Sequence, residues 1–367
     1  GRIDEPAPLM AVSPPWSQRL SRASLRGIAF GLAVGAVGGW IADWAEVPLA
    51  WMLGALFLTM AFSLAGAPVN EPTWLRQKFI VLLGLFLGES FDHLTASELI
   101  RWPVSLLAAL LYVPVAGGVA YLFYRFVAGE DRATAICEAI PGGLTAVVML
   151  SENLGADQRA VALSQSLRIS IVVLLAPVIA FGLLGLPAPD EAMFEGQRII
   201  SGPDFALLLG ASVLGVWALG RVGMPLPALV GPVFVSAALR MGGLVEGALP
   251  HTLIEVALVV MGASIGSRFA GVPIRRWAEV AALTLIGTLI LMAVSFVFAL
   301  VVSWSTGLEL FSVMLAYAPG GVAEMSLIAL AIDADPGFVA VHHVTRITFI
   351  LIVFPLFAAW LMRRQSR

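Results

Sequence analysis

The chain has 367 residues, of which 59% are hydrophobic and 12% are charged, and its formal net charge is −3. Soluble domains carry about 25% charged residues, so the composition excludes an ordinary water-soluble protein and favours one that crosses a bilayer several times. The sequence has no basic patch or DNA-reading motif, which argues against nucleic-acid binding, and its single cysteine, Cys137, leaves no disulfide framework or thiolate metal site.

The first 24 residues are rich in proline and contain no apolar core, so they do not have the pattern of a signal peptide. We predict a flexible cytoplasmic tail at 1–24, because Arg19, Arg22 and Arg26 lie beside the start of the first apolar segment and basic residues favour the cytoplasmic side. The closing residues 363–367 predict a second basic cytoplasmic tail.

The apolar segments fall into two similar halves. We predict a first transmembrane repeat at 25–185, an acidic linker at 186–203 and a second transmembrane repeat at 204–362. Each half offers about six apolar segments, which in the first half are approximately 25–43, 48–66, 77–91, 101–127, 133–154 and 158–184. Several of them reach the roughly 20 residues that a bilayer-spanning helix needs.

Within the first apolar segment, glycines recur at every fourth position and form a small-residue ridge that allows close helix packing. These glycines are Gly27, Gly31, Gly35 and Gly39. The ridge predicts either a scaffold contact within the chain or a contact between two copies in a homodimer.

The second half repeats the first at a nearly constant distance along the chain. The Pro-Gly-Gly motifs at 141–143 and 319–321 lie 178 residues apart, and the same offset pairs Arg168 with Arg346. Nearer the start, VPLAWMLG matches MPLPALVG at an offset of 177. An internal repeat of this length in an apolar chain is typical of secondary transporters.

The charge distribution predicts how the two halves are oriented. Both basic tails favour the cytoplasm, whereas the mostly acidic linker between the halves favours the opposite side. Six full crossings would return the linker to the cytoplasm, but five crossings plus one incomplete segment would not. We therefore predict an all-α polytopic membrane protein with two inverted repeats, each of about five transmembrane helices plus one broken or re-entrant Pro-Gly-Gly segment. The alternative for the incomplete crossing is a short third segment.

Each Pro-Gly-Gly motif breaks an apolar helix, because proline lacks an N–H and glycine tolerates backbone angles that other residues avoid. Such a break survives in hydrocarbon where it is buried in protein or lines a wet cavity. The N–H groups after each break suit an anion, and the carbonyls before it suit a cation. We predict a substrate site where the breaks meet, the alternative being two structural kinks. Its residues would be Pro141, Gly142, Gly143, Leu144, Thr145, Pro319, Gly320, Gly321 and Val322.

Two arginines form the second predicted part of the substrate site. Arg168 lies 11 residues (168 − 157) beyond Asp157, which is about 16 Å along a helix and near the middle of a hydrocarbon core about 30 Å thick. Arg346 is equally deep in the second half. A guanidinium at that depth faces a cavity or a partner and can hold a carboxylate with two hydrogen bonds. The alternative is a structural ion pair with Glu138 or Glu324.

Titratable side chains near the breaks predict the residues that couple transport to an ion. Glu138 and Glu324 flank the two motifs at different positions, which fits an asymmetric site, and a desolvated carboxylate holds a proton more readily. His343 lies on the same helix face as Arg346, although a hydrogen-bonded core histidine is the alternative. The predicted coupling set is completed by Asp157 and Asp335.

The duplicated segments AIPGGLTAVVMLSENLGAD…LRISIVVLLAP and YAPGGVAEMSLIALAIDAD…TRITFILIVFP resemble the AbrB-type bacterial membrane protein family. The resemblance extends from about Arg26 to Leu361, and the twin Pro-Gly-Gly followed by Arg-Ile-(Ser/Thr) is fairly specific. Members of this membrane family are often labelled ammonia monooxygenase or regulator of gene expression, and they differ from the small DNA-binding regulators of the same name. The duplicated halves are also similar to the sodium/proton antiporter and bile-acid symporter superfamily, which implies transport.

The sequence thus predicts a secondary active transporter of a small anionic or zwitterionic metabolite, coupled to protons or sodium, in the bacterial inner membrane. The alternative is a membrane protein that regulates gene expression, as the family label implies. Four histidines and one cysteine provide no copper or iron ligand set, so we expect no enzyme activity, no metal and no cofactor. The expected partners are the lipid bilayer, a small-molecule substrate and, in a homodimer, a second copy, but no nucleic acid.

Overall fold

The computed structural model describes residues 22–70, 73–89, 91, 100–183, 199–332 and 334–365. Within these ranges the chain forms fourteen α-helices and no β-strand. Most of the predicted N-terminal tail, most of the linker and the last two residues lie outside the described residues.

The first half of the chain contains seven of the helices. They are α1 Arg22–Trp44, α2 Ala50–Leu64, α3 Thr73–Glu89, α4 Trp102–Phe126, α5 Arg132–Ala139, α6 Leu144–Asn153 and α7 Gln158–Pro177, with a π-helical turn following at Val178–Leu183. Asp131 and Asp157 cap α5 and α7, since each carboxylate accepts hydrogen bonds from two backbone N–H groups of the first turn.

The second half contains seven helices in the same order. They are α8 Gly202–Arg221, α9 Pro227–Met241, α10 His251–Ser267, α11 Ile274–Thr306, α12 Leu310–Tyr317, α13 Val322–Ala331 and α14 Pro336–Gln365. The first residues of α2 and α9 are 177 positions apart in the sequence, and so are their last residues. For α3 and α10 both separations are 178. The offset of 178 also relates α5 to α12 and α6 to α13, so the helix boundaries repeat as the motifs do.

Six helices in the described part of the chain are long and apolar enough to cross a membrane: α1, α4, α7, α8, α11 and α14. Three shorter helices, α2, α9 and α10, are also apolar. The protein therefore has the predicted all-α, polytopic membrane fold.

The helices pack as two groups. The panel group consists of α1–α3 and α8–α10, in which α2 packs against α1 and α10, and α9 packs against α8 and α3. The hairpin group consists of α4–α7 and α11–α14. In it α4 packs against α11, α7 packs against α11, and α14 packs against α4. The contacts between the groups are fewer, and they are made mainly by α3 with α13 and α14 and by α2 with α7.

Glycines allow the panel helices to touch backbone to backbone. A Cβ atom built on Gly54 of α2 would lie 2.1 Å from the carbonyl oxygen of Gly38 in α1. Gly35 of the predicted ridge packs against Ala263 of α10, and Gly39 packs against Trp51. The ridge therefore makes contacts within the chain, which is the scaffold alternative of the two predicted roles.

The equivalent helices α3 and α10 run antiparallel to each other. At one end, a carboxylate oxygen of Glu89 in α3 accepts hydrogen bonds from the backbone N–H of Leu249, just before α10, and from Arg240. At the other end, Arg76 near the start of α3 and Arg268 after the end of α10 line the same cavity.

Each Pro-Gly-Gly segment forms a hairpin of two half-helices, α5–α6 and α12–α13, whose two ends lie side by side. The Thr134 hydroxyl near the start of α5 accepts a hydrogen bond of 3.0 Å from the backbone N–H of Asp157, just after α6 ends. The second hairpin repeats this contact, because the Ser312 hydroxyl accepts from the backbone N–H of Asp335 at 2.9 Å. If either segment ran straight, its first and last residues would be separated by the length of two half-helices. The chain therefore turns back at each Pro-Gly-Gly motif, and the start of each hairpin lies beside the start of the helix that follows it.

Candidate anion-binding site

A cavity of about 260 Å³ lies where the tips of the two hairpins meet, at the boundary between the hairpin group and the panel group. From the hairpins it is lined by Gly142, Gly143, Leu144, Gly320, Gly321, Val322, Ala323 and Glu324. From other helices and loops it is lined by Arg76, Ile80, Arg168, Ile169, Pro225, Leu226, Leu229, Arg268, Ile347 and Leu351. The structure thus brings both breaks and one of the predicted arginines to a single cavity.

The first hairpin tip depends on the backbone freedom of glycine. Gly142 has a φ of 132° and Gly143 has a φ of 74°, both in the range that residues with a side chain rarely adopt. The second tip turns differently, since Gly321 has a φ of −83° and precedes α13 as its N-cap.

We expect Gly143→Ala to lower the free energy of unfolding by about 1–2 kcal/mol, because an L-residue at this φ is strained. Gly320→Ala is the matched control in the other tip, since the three atoms nearest to its Cβ all belong to the flexible side chain of Met325. Thermal unfolding of the two purified variants in detergent checks the difference. Equal losses would show that the positive φ of the first tip carries no cost.

Arg168 binds the backbone at the end of α5. Its Nη1 donates to the carbonyl oxygen of Ile140 at 2.6 Å, and its Nη2 donates to Gln165 Oε1 at 2.6 Å. Gln165 Nε2 in turn donates to the carbonyl of Cys137 at 2.9 Å. Arg168 is 2% exposed, and its Nε has no hydrogen-bond partner among the residues that the structure describes. Arg76 Nε in the same lining also has no partner among those residues, so two buried donors beside the cavity are left to be satisfied.

Arg346 holds the two hairpin tips together. Its Nη1 donates to the carbonyls of Ala316 and Ala318, each at 2.9 Å, and its Nη2 donates to the carbonyl of Pro141 in the other hairpin at 3.0 Å. The guanidinium also faces the ring of Tyr112, with the Cζ atom 5.4 Å from the ring centroid.

The two arginines therefore satisfy the carbonyls freed by the breaks. The sequence predicted that these carbonyls suit a cation, and at both hairpins a guanidinium of the chain itself takes that place. In the described part of the chain neither arginine forms an ion pair with a carboxylate, so the alternative pairing with Glu138 or Glu324 is not the arrangement found.

Glu324 occupies the N-terminal end of the second half-helix after the break. It is the third residue of α13, and a Cβ atom built on Gly321 would lie 2.0 Å from its Oε2. The carboxylate therefore folds back over the N-terminus of α13, where the helix dipole favours negative charge. Arg76 Nη2 lies 4.0 Å from Glu324 Oε1.

The first half-helix after the break has no such carboxylate. The offset of 178 places Ala146 where the second hairpin has Glu324. The N-terminus of α6, at Gly143 and Leu144, therefore faces the cavity without an acidic side chain of its own. Among the described residues, the lining contains Arg76, Arg168 and Arg268 and one carboxylate, Glu324, so these side chains together carry an excess of positive charge.

Ten of the eighteen residues that line this cavity were not predicted from the sequence, and three of the ten bear on function. Arg76 and Arg268 lie in panel-group segments that contain no motif. The only sequence signal that could have identified them as site residues is a charge beside an apolar run. Leu226, at the N-cap of α9, has a φ of 52°, as does its equivalent Leu49 with 55°. Strained backbone at a non-glycine residue is frequent at functional sites.

The other predicted coupling residues lie outside this cavity. Asp157 and Asp335 are at the far ends of the hairpins, where Asp157 caps α7 and Asp335 accepts a hydrogen bond from the backbone N–H of Phe338. His343 is buried and donates from Nε2 to the carbonyl of Leu315 at 3.0 Å, which is the contact that Gln165 makes in the first half. The predicted side-chain role of Thr145 falls outside the described residues.

Comparison of the sequence with known proteins relates most of the chain to one family. The sequence profile described as "Transition state regulatory protein AbrB" matches residues 51–362 of the chain. The chain is similar to "Uncharacterized protein YhjN" of Bacillus subtilis (strain 168), with 28% identity over 366 residues, 89% of this chain and 91% of the relative. It is also similar to "Putative regulator AbrB" of Escherichia coli (strain K12), with 25% identity over 324 residues, 86% of this chain and 91% of the relative.

Proposed function

This chain belongs to the AbrB family, and from that premise we propose that it is a secondary active transporter of a small anionic or zwitterionic metabolite. The observation that carries the proposal is the positively charged cavity between the hairpin tips. A bound carboxylate would accept hydrogen bonds from the buried Nε of Arg168 and from the N–H groups at the start of α6.

The size and charge of the cavity indicate the class of substrate. Its volume of about 260 Å³ is below the range of about 300–1,000 Å³ that is usual for drug-sized ligands, so it suits a small metabolite. Arg76, Arg168 and Arg268 favour an anionic group, and the carboxylate of Glu324 offers a partner for an ammonium group of a zwitterion.

The arrangement of equivalent helices supports an inverted repeat. The equivalent helices α3 and α10 pack antiparallel, which requires a pseudo-two-fold axis that is perpendicular to them and lies in the membrane plane. If each hairpin enters and leaves on one side of the membrane, the other five helices of each half cross it. Five is an odd number, so the second half starts on the opposite side from the first and is inverted relative to it. We assign the protein to the bacterial inner membrane, with the termini and the Arg268 end of α10 in the cytoplasm.

The same arrangement suggests how access would alternate. The cavity is lined by Arg76, Leu226 and Arg268 from the panel group and by the hairpin tips and Arg168 from the hairpin group. Because few contacts join the two groups, movement of one against the other could expose the site to each side in turn.

The test is ligand-induced stabilisation of the purified protein in detergent. A panel of amino acids and carboxylates is added at pH 6 and pH 8 in sodium or potassium salt, and a ligand of the folded state should raise Tm. We expect Arg168→Gln to weaken a hit about 10- to 100-fold, the loss expected for one charge-assisted hydrogen bond.

A second variant keeps the test independent of the structural role of Arg168. Ala146→Glu would give α6 the carboxylate that α13 has in Glu324, and we expect it to abolish anion binding, whereas Ala146→Gln is the neutral control of the same size. Binding that is equal in these two variants, or a panel in which no compound raises Tm, would contradict the proposal.

The second candidate function is regulation of gene expression, which the name of the Escherichia coli relative favours. It predicts no metabolite binding by the purified protein, so the same experiment separates the two. We assign the protein no enzyme activity.

A further inference from the structure

A second polar cluster lies beside the first hairpin, away from the tip-lining residues. Glu138 in the last turn of α5 is 4% exposed. The Ser164 hydroxyl of α7 lies within hydrogen-bonding reach of the Glu138 carboxylate and of the Tyr124 hydroxyl in α4. Thr284 Oγ1 of α11 lies 3.4 Å from Ser164 Oγ. One carboxylate and three hydroxyls from four helices thus meet in the interior, and all four residues are buried.

The cluster belongs to the first half alone. The offset of 178 takes Glu138 to Ala316 and Ser164 to His342. Around Ala316 the second half places the guanidinium of Arg346, whose Nη1 donates to the Ala316 carbonyl, and Tyr317, whose hydroxyl donates to the carbonyl of Ser105 at 2.6 Å. The second half therefore has no carboxylate at the position of Glu138, and the buried carboxylate distinguishes the first half.

The charge of Glu138 is not balanced within hydrogen-bonding distance by a basic side chain in the described part of the chain. The next charged groups that act on it are Glu130, Asp157 and Arg276, two acids against one base. A buried carboxylate is costly unless it is protonated or paired with a cation. The surroundings of Glu138 therefore favour either a proton on the carboxylate or a cation beside it, and the experiment below separates the two.

The donor atoms indicate which cation would fit. Carboxylate and hydroxyl oxygens are ligands for hard cations, and a single carboxylate balances one positive charge. The 3.4 Å between Ser164 Oγ and Thr284 Oγ1 is long for a hydrogen bond between hydroxyls. It is a normal separation for two oxygens that share one cation at about 2.4 Å.

We infer that Glu138, Ser164, Thr284 and Tyr124 form a binding site for a sodium ion. A bound ion would join α4, α5, α7 and α11. It would lie close to Ile140, whose carbonyl accepts a hydrogen bond from Arg168. Sodium would therefore fix the position of the first hairpin tip, and the anion site with it. The binding itself does not depend on transport, but its role as the coupling ion rests on the proposed function.

The test is the Tm of the purified full chain in detergent, without any metabolite, in sodium, potassium or choline chloride at constant ionic strength and pH 8. We expect Tm to rise with sodium concentration to a plateau, and not with the other two salts. Glu138→Gln should abolish this rise, and Thr284→Val should weaken the apparent sodium affinity at least 10-fold. Thr288→Val is the matched control, because the Thr288 hydroxyl bonds only its own helix, at the carbonyl of Thr284.

Three outcomes would overturn the inference. They are an equal response to all three salts, a sodium response that persists in Glu138→Gln and in Thr284→Val, and a Tm that depends on pH but not on sodium, which would assign a proton to Glu138. If Glu138→Gln does not fold, the comparison of Thr284→Val with Thr288→Val still decides. A sodium response without any effect on metabolite binding would leave the ion site standing and remove only its coupling role.

Discussion

Replacing Arg346 by alanine should destabilise the protein by about 3–5 kcal/mol, because it leaves buried backbone carbonyls without a donor. The guanidinium, which comes from α14, donates to the carbonyls of Ala316 and Ala318 in the second hairpin and of Pro141 in the first, and so it bridges the two hairpin tips. Arg346→Lys should recover little, since a single ammonium cannot reproduce the planar fork that reaches both hairpins. Thermal or denaturant unfolding in detergent measures the loss.

Arg168→Ala is the control for this prediction in the equivalent position. Arg168 donates to one carbonyl, at Ile140, and to the side chain of Gln165, so its removal orphans fewer buried backbone groups. We expect a smaller loss of stability, about 2 kcal/mol. A loss for Arg168→Ala equal to or greater than that for Arg346→Ala would mean that the bridge between the hairpins contributes nothing to stability.

Replacing Gly54 by alanine should cost about 3 kcal/mol or more and disrupt the panel group. The new Cβ would lie 2.1 Å from the carbonyl oxygen of Gly38, and a backbone atom cannot move aside as a side chain can. The equivalent crossing of α8 and α9, at Gly215 and Gly231, is also close, so Gly231→Ala should cost a similar amount. Unfolding midpoints of purified variants, or their yield in the membrane fraction, would measure both effects.

Gly118→Ala in α4 is the matched control, since a Cβ built there meets nothing within 4 Å. Alanine has a higher helix propensity than glycine, so this change should be neutral or raise the stability by up to about 1 kcal/mol. If Gly54→Ala is tolerated as well as Gly118→Ala, the close approach of α1 and α2 is not required for the fold.

The sequence alone determined the class of fold, the duplication and the places where the helices break. Apolar length sets which segments can lie in a bilayer, and the combination of proline with two glycines marks the breaks. Proline alone does not, since Pro114, Pro232 and Pro355 lie inside continuous helices. The depth of Arg168 and Arg346 also follows from the helical rise and from their distance to the capping aspartates. These properties are local to the chain, so a one-dimensional pattern is enough to predict them.

Only the tertiary structure decided which groups the arginines bind and what lines the cavity. Local sequence could not distinguish a carboxylate partner from the carbonyls of Ala316 and Pro141, because that choice depends on how the hairpins pack. Arg76 and Arg268 reach the cavity because α3 and α10 run antiparallel beside the tips. Glu324 covers the N-terminus of α13, whereas the equivalent residue of α6 is Ala146. The two halves are therefore similar in sequence and helix order but differ in charge at the site.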